Sequence, residues 1–130
     1  MQEKHLYEYA VVRIVPRVER EEFINVGIIL FSKYARYIKM KYQVNEEKLN
    51  YWFSDENKAD FNLIYSGLEA FEKIASGHKE GGRIAQLDIP ERFRWLTSVR
   101  SSMIQTSRPH PGFSSDLDQT MDCLFSELVL

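Results

Sequence analysis

Apolar and polar positions repeat with one period in the first third of the chain and another beyond it. In residues 37–44, Tyr-Ile-Lys-Met-Lys-Tyr-Gln-Val, the side chains Ile38, Met40, Tyr42 and Val44 alternate with Tyr37, Lys39, Lys41 and Gln43. A period of two marks a strand with one wet face. Residues 23–31, Phe-Ile-Asn-Val-Gly-Ile-Ile-Leu-Phe, form an almost continuous apolar run, which suits a central strand covered on both sides. Residues 9–15, Tyr-Ala-Val-Val-Arg-Ile-Val, are β-branched and aromatic and stop at Pro16, a natural strand end. The stretch between these two, residues 17–22, is charged and contains no turn dipeptide. Connections this short predict an antiparallel meander, because parallel pairing needs a crossover of a dozen or more residues.

After Val44 the period becomes helical. Asn45 followed by Glu46 and Glu47 predicts a capped helix with acids at its positive end, finishing near Phe53. A longer helix is predicted from near Asn57. Its apolar residues Phe61, Ile64, Tyr65, Leu68, Phe71 and Ala75 recur every three or four positions, and Gly77 stands where a glycine would stop it. Residues 78–82 read as a loop. Pro90 opens a further helix with Phe93, Leu96 and either Val99 or Trp95 as its buried stripe. Residues 102–106 read as a short strand, and residues 108–113, Arg-Pro-His-Pro-Gly-Phe, as a turn or extended linker. Residues 115–118 have capping-box spacing with Asp118 in the place of Glu or Gln, and Leu117, Met121, Leu124 and Leu128 then share one helical face. The predicted order is β-β-β-α-α-α-β-α. It implies a single α+β domain over residues 1–130, an antiparallel sheet of three to four strands with helices packed on one face.

Strict alternation sorts the strand residues into two faces. Ala10, Val12 and Ile14, then Ile24, Val26, Ile28 and Leu30, then Ile38, Met40 and Val44 make one apolar face for the helices to cover. The other face collects Tyr7, Tyr9, Val11 and Arg13, then Phe23, Asn25, Gly27, Ile29 and Phe31, then Tyr37, Lys39 and Lys41. A patch of that size exceeds what monomers usually expose, so a helix of the chain, a second copy or a partner protein should cover it. Tyr7, Tyr9, Phe23, Phe31, Tyr37, Lys39 and Lys41 are therefore candidates for a partner surface. Arg13 and Asn25 interrupt apolar strands. A buried guanidinium needs a partner, and Glu21 or Glu22 lies within sequence reach; an Arg–Glu–Asn network beside Gly27 would fix the register.

Composition narrows the chemistry. Seventeen basic against 19 acidic residues leave a net charge of −2, which provides no basic footprint for nucleic acid. One cysteine, Cys123, allows no internal disulfide and no CxxC site. At 130 residues the chain can bury a real core, and 44% hydrophobic with 28% charged residues is the composition of a globular protein. It needs no metal to fold. No apolar run is long enough to span a membrane, and Glu3, Lys4, His5 and Glu8 argue against a signal peptide, so a cytoplasmic location is expected. His5, His78 and His110 are scattered, with no HExxH or paired spacing for a metal. Asp116, Asp118 and Asp122 fall in the first turns of a helix, where its dipole favours acids. The Gly-rich loop at residues 77–83 lacks the phosphate-cradle spacing. No nucleophile motif or catalytic constellation is present, and no cofactor is implied.

Two stretches carry a resemblance. Residues 9–16 together with residues 20–31 resemble the "VVRxVP … EFxNVGxxLF" opening of the domain-of-unknown-function family 3037, and residues 104–112, 115–118 and 124–129 resemble its close. The resemblance implies no activity. Bacterial members of that family are often encoded beside a HipA-like serine/threonine kinase, which implies an accessory role in a toxin–antitoxin or defence setting. Arg13, Glu22, Asn25, Gly27, Arg108 and Asp116 occupy the family's polar and glycine positions and are candidate binding residues. The leading expectation is a non-enzymatic interaction module. It would dock a HipA-like kinase, or a second copy of itself, through the mixed sheet face or the segment around residues 107–116. The alternative is a phosphate- or carboxylate-binding protein or enzyme using Arg13, Glu22 and Asn25.

Overall fold

The computed structural model describes residues 3–16, 21–53, 60–100 and 102–130. Strands β1 (His5–Ile14), β2 (Ile24–Ser32) and β3 (Tyr37–Tyr42) form the expected antiparallel meander. The segment expected as a turn or linker instead supplies a strand. Both β4 (Ile104–Thr106) and β5 (His110–Ser114) pair antiparallel with the far edge of β1. The class is α+β as predicted, with five strands.

Between β4 and β5 the pairing with β1 takes in one extra residue. Ser107 donates its N–H to the Val11 carbonyl at 2.8 Å, and its hydroxyl accepts from the Val11 N–H at 2.9 Å. Tyr9 then pairs with His110, so Arg108 and Pro109 bulge outward. Odd-numbered residues of β1 thus turn their backbone toward this edge, and Pro111, opposite Glu8, needs no N–H there.

The helices are α1 (Glu46–Trp52), α2 (Phe61–Ser76), a single turn α3 (Gly82–Ala85), α4 (Ile89–Leu96) and α5 (Leu117–Leu128). Asn45 caps α1 through the Lys48 N–H, and Gly77, at a φ of 71°, closes α2. The described part of α2 begins at Phe61 behind the cap Asp60; the expected start near Asn57 lies outside the described residues. α5 is capped by Asp116 rather than Ser115, its carboxylate accepting the Gln119 N–H at 3.1 Å. Phe93 and Leu96 form the buried stripe of α4, while Val99 is fully exposed.

Helices occupy both sides of the sheet, not one. Ile64, Leu68, Phe71 and Ile74 of α2 and Phe93 and Leu96 of α4 pack on Val12, Ile14, Ile24, Val26, Ile29, Phe31 and Met40. On the opposite side Leu117, Met121 and Phe125 of α5 close over Val11, Ile28 and Leu30. The face that alternation left open is covered by the chain's own last helix.

β2 also departs from strict alternation. Val12 lies opposite Gly27 but Arg13 opposite Asn25, so Val26 is an extra residue in β2. The phase of the strand shifts by one there. Ile29 and Phe31 consequently turn toward α2 and α4, and Ile28 and Leu30 toward α5, the reverse of the expected assignment. Gly27 permits the kink beside a close neighbour, since a Cβ there would stand 2.7 Å from the Lys41 carbonyl oxygen and 2.9 Å from Tyr42 Cβ.

Candidate functional site

The candidate binding residues separate along the length of β1. Arg13 and Asn25 are cross-strand partners near its C-terminal end, with Gly27 two positions further along β2 and Glu22 at the approach to that strand. Asp116 lies at the opposite end, beyond the His5–Ser114 pair, and Arg108 projects from the bulge between β4 and β5. They do not converge on one site. Asp116 is accounted for as the cap of α5.

Arg13 lies over an aromatic ring. Its guanidinium carbon stands 4.0 Å from the centroid of Phe23, and among the described residues it has no ion pair. Burial lowers its pKa from the ordinary arginine value. Asn25 turns toward α5 and donates from Nδ2 to the Leu128 carbonyl at 3.0 Å, satisfying an orphan acceptor at the helix end. Arg13 Nε and Asn25 Oδ1 are buried without a partner among the described residues. Among the described residues Arg13 and Asn25 thus supply a cation–π contact and a helix anchor standing side by side.

The candidate partner-surface residues divide in the same way. Phe31 belongs to the main core and stacks on Phe93 with centroids 4.7 Å apart, so it faces no partner. Tyr37, Lys39 and Lys41 fasten α5 to β3. Tyr37 donates its hydroxyl proton to Asp118 Oδ1 at 2.7 Å, Lys39 reaches the same oxygen at 3.8 Å, and Lys41 pairs with Asp122 at 3.3 Å. Lys41 also lies 4.6 Å from the Phe125 centroid. Burial, then the Asp118 carboxylate, raise the Tyr37 pKa well above the ordinary tyrosine value and hold it protonated. A polar recess of about 430 Å³ opens beside this contact, lined by His5, Ser115, Asp116, Asp118 and Gln119 among others. Among the described residues no group of three His, Cys, Asp or Glu side chains is set to hold a metal. Phe23 remains exposed beneath Arg13.

Tyr7 and Tyr9 stay half-buried at the flank of α5, with their rings 6.4 Å apart. Tyr9 lies 5.3 Å from the His110 ring, and Tyr7 lies across Gly112, where a Cβ would collide with its phenol. On the reverse side of the same two strands, Leu6 and Phe113 are direct cross-strand partners and remain 44% and 69% exposed. Neither residue belongs to a core cluster, because α2 and α4 lean on β2, β3 and β4 and leave this corner bare. Sequence reasoning missed the pair. The available signal is Phe113 itself, an aromatic within a Pro–Gly segment.

The family model for a protein of unknown function, DUF3037, matches residues 9–129, and the chain belongs to that family. No curated protein and no solved structure matches it. Among the described residues no helix is long and apolar enough to cross a membrane.

Proposed function

We propose that this member of DUF3037 is a non-enzymatic interaction module that docks a protein partner on the β1–β5 edge. The supporting observation is the exposed Leu6–Phe113 pair, which joins β1 to the edge strand β5 in a sheet otherwise covered on both sides. Apolar side chains left together at the rim of a closed core are the usual anchor of a protein interface. Pro111 turns a backbone nitrogen without an N–H outward from this strand, which blunts further strand pairing and favours side-chain docking. The segment around residues 107–116 carries this reading, because α5 already occupies the central part of the mixed sheet face.

The partner proposed from the family resemblance is a HipA-like kinase, with the role of an accessory or regulator. Co-expression with a HipA-like kinase, followed by co-purification, tests it. Phe113→Asp replaces an exposed side chain and should leave the fold intact. It is expected to weaken the complex at least tenfold, the scale of an interface hot spot. A complex that forms equally well with Phe113→Asp, or none at micromolar concentrations of the wild type, overturns the proposal.

A further inference from the structure

An apolar cleft of about 300 Å³ lies between α2 and the segment leading into β4. Leu63, Ile64, Gly67 and Phe71 form one wall, at the three- and four-residue spacing that aligns side chains along one helix face. Met103 and Ile104 form the other. Gly67 shapes the floor: a Cβ there would collide with the Ile104 side chain, so its absence lets β4 settle against α2. The cleft follows α2 for about two turns, on the order of 12 Å at 1.5 Å per residue. Its volume is at the lower end of small-molecule sites, about 300–1,000 Å³.

A cation stands at the Phe71 end. The Arg100 guanidinium carbon lies 4.9 Å from the Phe71 centroid and 4.7 Å from that of Trp95. Its Nη2 donates to the Trp95 carbonyl at 2.6 Å and to Ser98 Oγ at 3.1 Å, which fixes the group in place. Among the described residues no carboxylate pairs with it. Partial burial lowers its pKa from the ordinary arginine value. The opposite end of the cleft is marked by Leu63, an apolar side chain left 61% exposed.

We infer that this cleft binds a medium-chain carboxylate, its unbranched tail along α2 toward Leu63 and its head group near Arg100. The apolar walls suit methylene groups, and the guanidinium, with Nη2 held by Trp95 and Ser98, has Nη1 left to donate to one carboxylate oxygen. The site is distinct from the proposed docking edge and does not depend on it.

Titration of the full chain with decanoate, and in parallel with decanol, followed by amide chemical shifts, tests the inference. Saturable shifts are expected in residues 61–71 and 102–104. Arg100→Gln should weaken decanoate about fivefold, the upper range of an exposed charge contact, and leave decanol nearly unchanged. Arg100 also braces the end of α4, so Leu63→Glu provides a second reading: at an exposed position, it should abolish saturable binding of both probes without unfolding the chain. No saturable shift at millimolar decanoate overturns the site, as do shifts centred on Leu6 and Phe113. An equal response of decanoate to wild type and Arg100→Gln overturns the role of the cation.

Discussion

The two sides of the sheet are sealed by different means. Toward α2 and α4, a large cluster draws residues from four strands and four helices and includes Leu49, Leu68 and Leu96 with no exposure at all. Toward α5, one helix covers three strand residues, and its margin is fastened by Tyr37, Lys39 and Lys41 on β3. Surface ion pairs of this kind contribute only about 0–1 kcal/mol each. The first side is held by buried volume. The second depends on three apolar side chains and a polar seam, so it should be the first to open.

Paired truncations give the largest effects and the most direct check. Leu68→Ala should cost about 3–4 kcal/mol, because a fully enclosed leucine leaves a cavity that rigid neighbours cannot close. It should lower the urea midpoint for the whole molecule. Met121→Ala should cost less, about 2 kcal/mol, since a single helix can settle toward the sheet. Its signature is local: hydrogen exchange should accelerate in α5 while the amides of α2 keep their protection. Equal costs, with α2 and α5 opening together, would show that the two sides form one cooperative unit.

Much of the inner side was legible in the sequence, and the reason is local. Asn45 as a cap, Gly77 as a stop and the spacing of Ile64, Leu68 and Phe71 are short-range signals that the fold obeys. The outer side needed information from distant parts of the chain. Nothing within residues 115–128 says which face α5 will cover; that follows from Asn25 holding the Leu128 carbonyl and Tyr37 holding Asp118. The 110–114 segment reads as a linker on proline and glycine content, yet it becomes a strand because β1 has a free edge and Pro111 falls where no N–H is required. The candidate site suffered most. Strict alternation put Phe31 on the partner surface, and one extra residue at Val26 moved it into the core.

Gly27 is where the two sides are coupled, and the next largest effect is expected there. Gly27→Ala forces a methyl group against the Lys41 carbonyl and Tyr42, and backbone atoms yield poorly. A loss of about 1–3 kcal/mol is expected, in line with other overpacked sites. Because the strand changes phase at this residue, chemical shifts should move on both faces, at Ile29 and Phe31 as well as Ile28 and Leu30. Changes confined to one face would mean that the kink is not what partitions the strand.

The smallest effect isolates the polar seam. In the unfolded chain Tyr37 ionises near the ordinary value of about 10. In the folded chain, burial and Asp118 shift its ionisation above that. A raised native pKa means that the folded state keeps its proton longer. Its contribution is therefore intact below the unfolded pKa and is lost as pH rises through the folded one. Stability should fall with rising pH above about 10, and part of that fall belongs to Tyr37. Tyr7, Tyr42 and Tyr65 are shifted in the same direction, so the slope will not vanish in a variant. Tyr37→Phe should cost about 0.5–1.5 kcal/mol at neutral pH, the net worth of one hydrogen bond, and should give a shallower alkaline decline than the wild type. Urea midpoints measured at intervals from about pH 8 to 11 separate the two curves. Parallel curves would mean that Asp118 does not hold Tyr37 in solution, and that the outer helix rests on Leu117, Met121 and Phe125 with the Asn25 and Lys41 contacts.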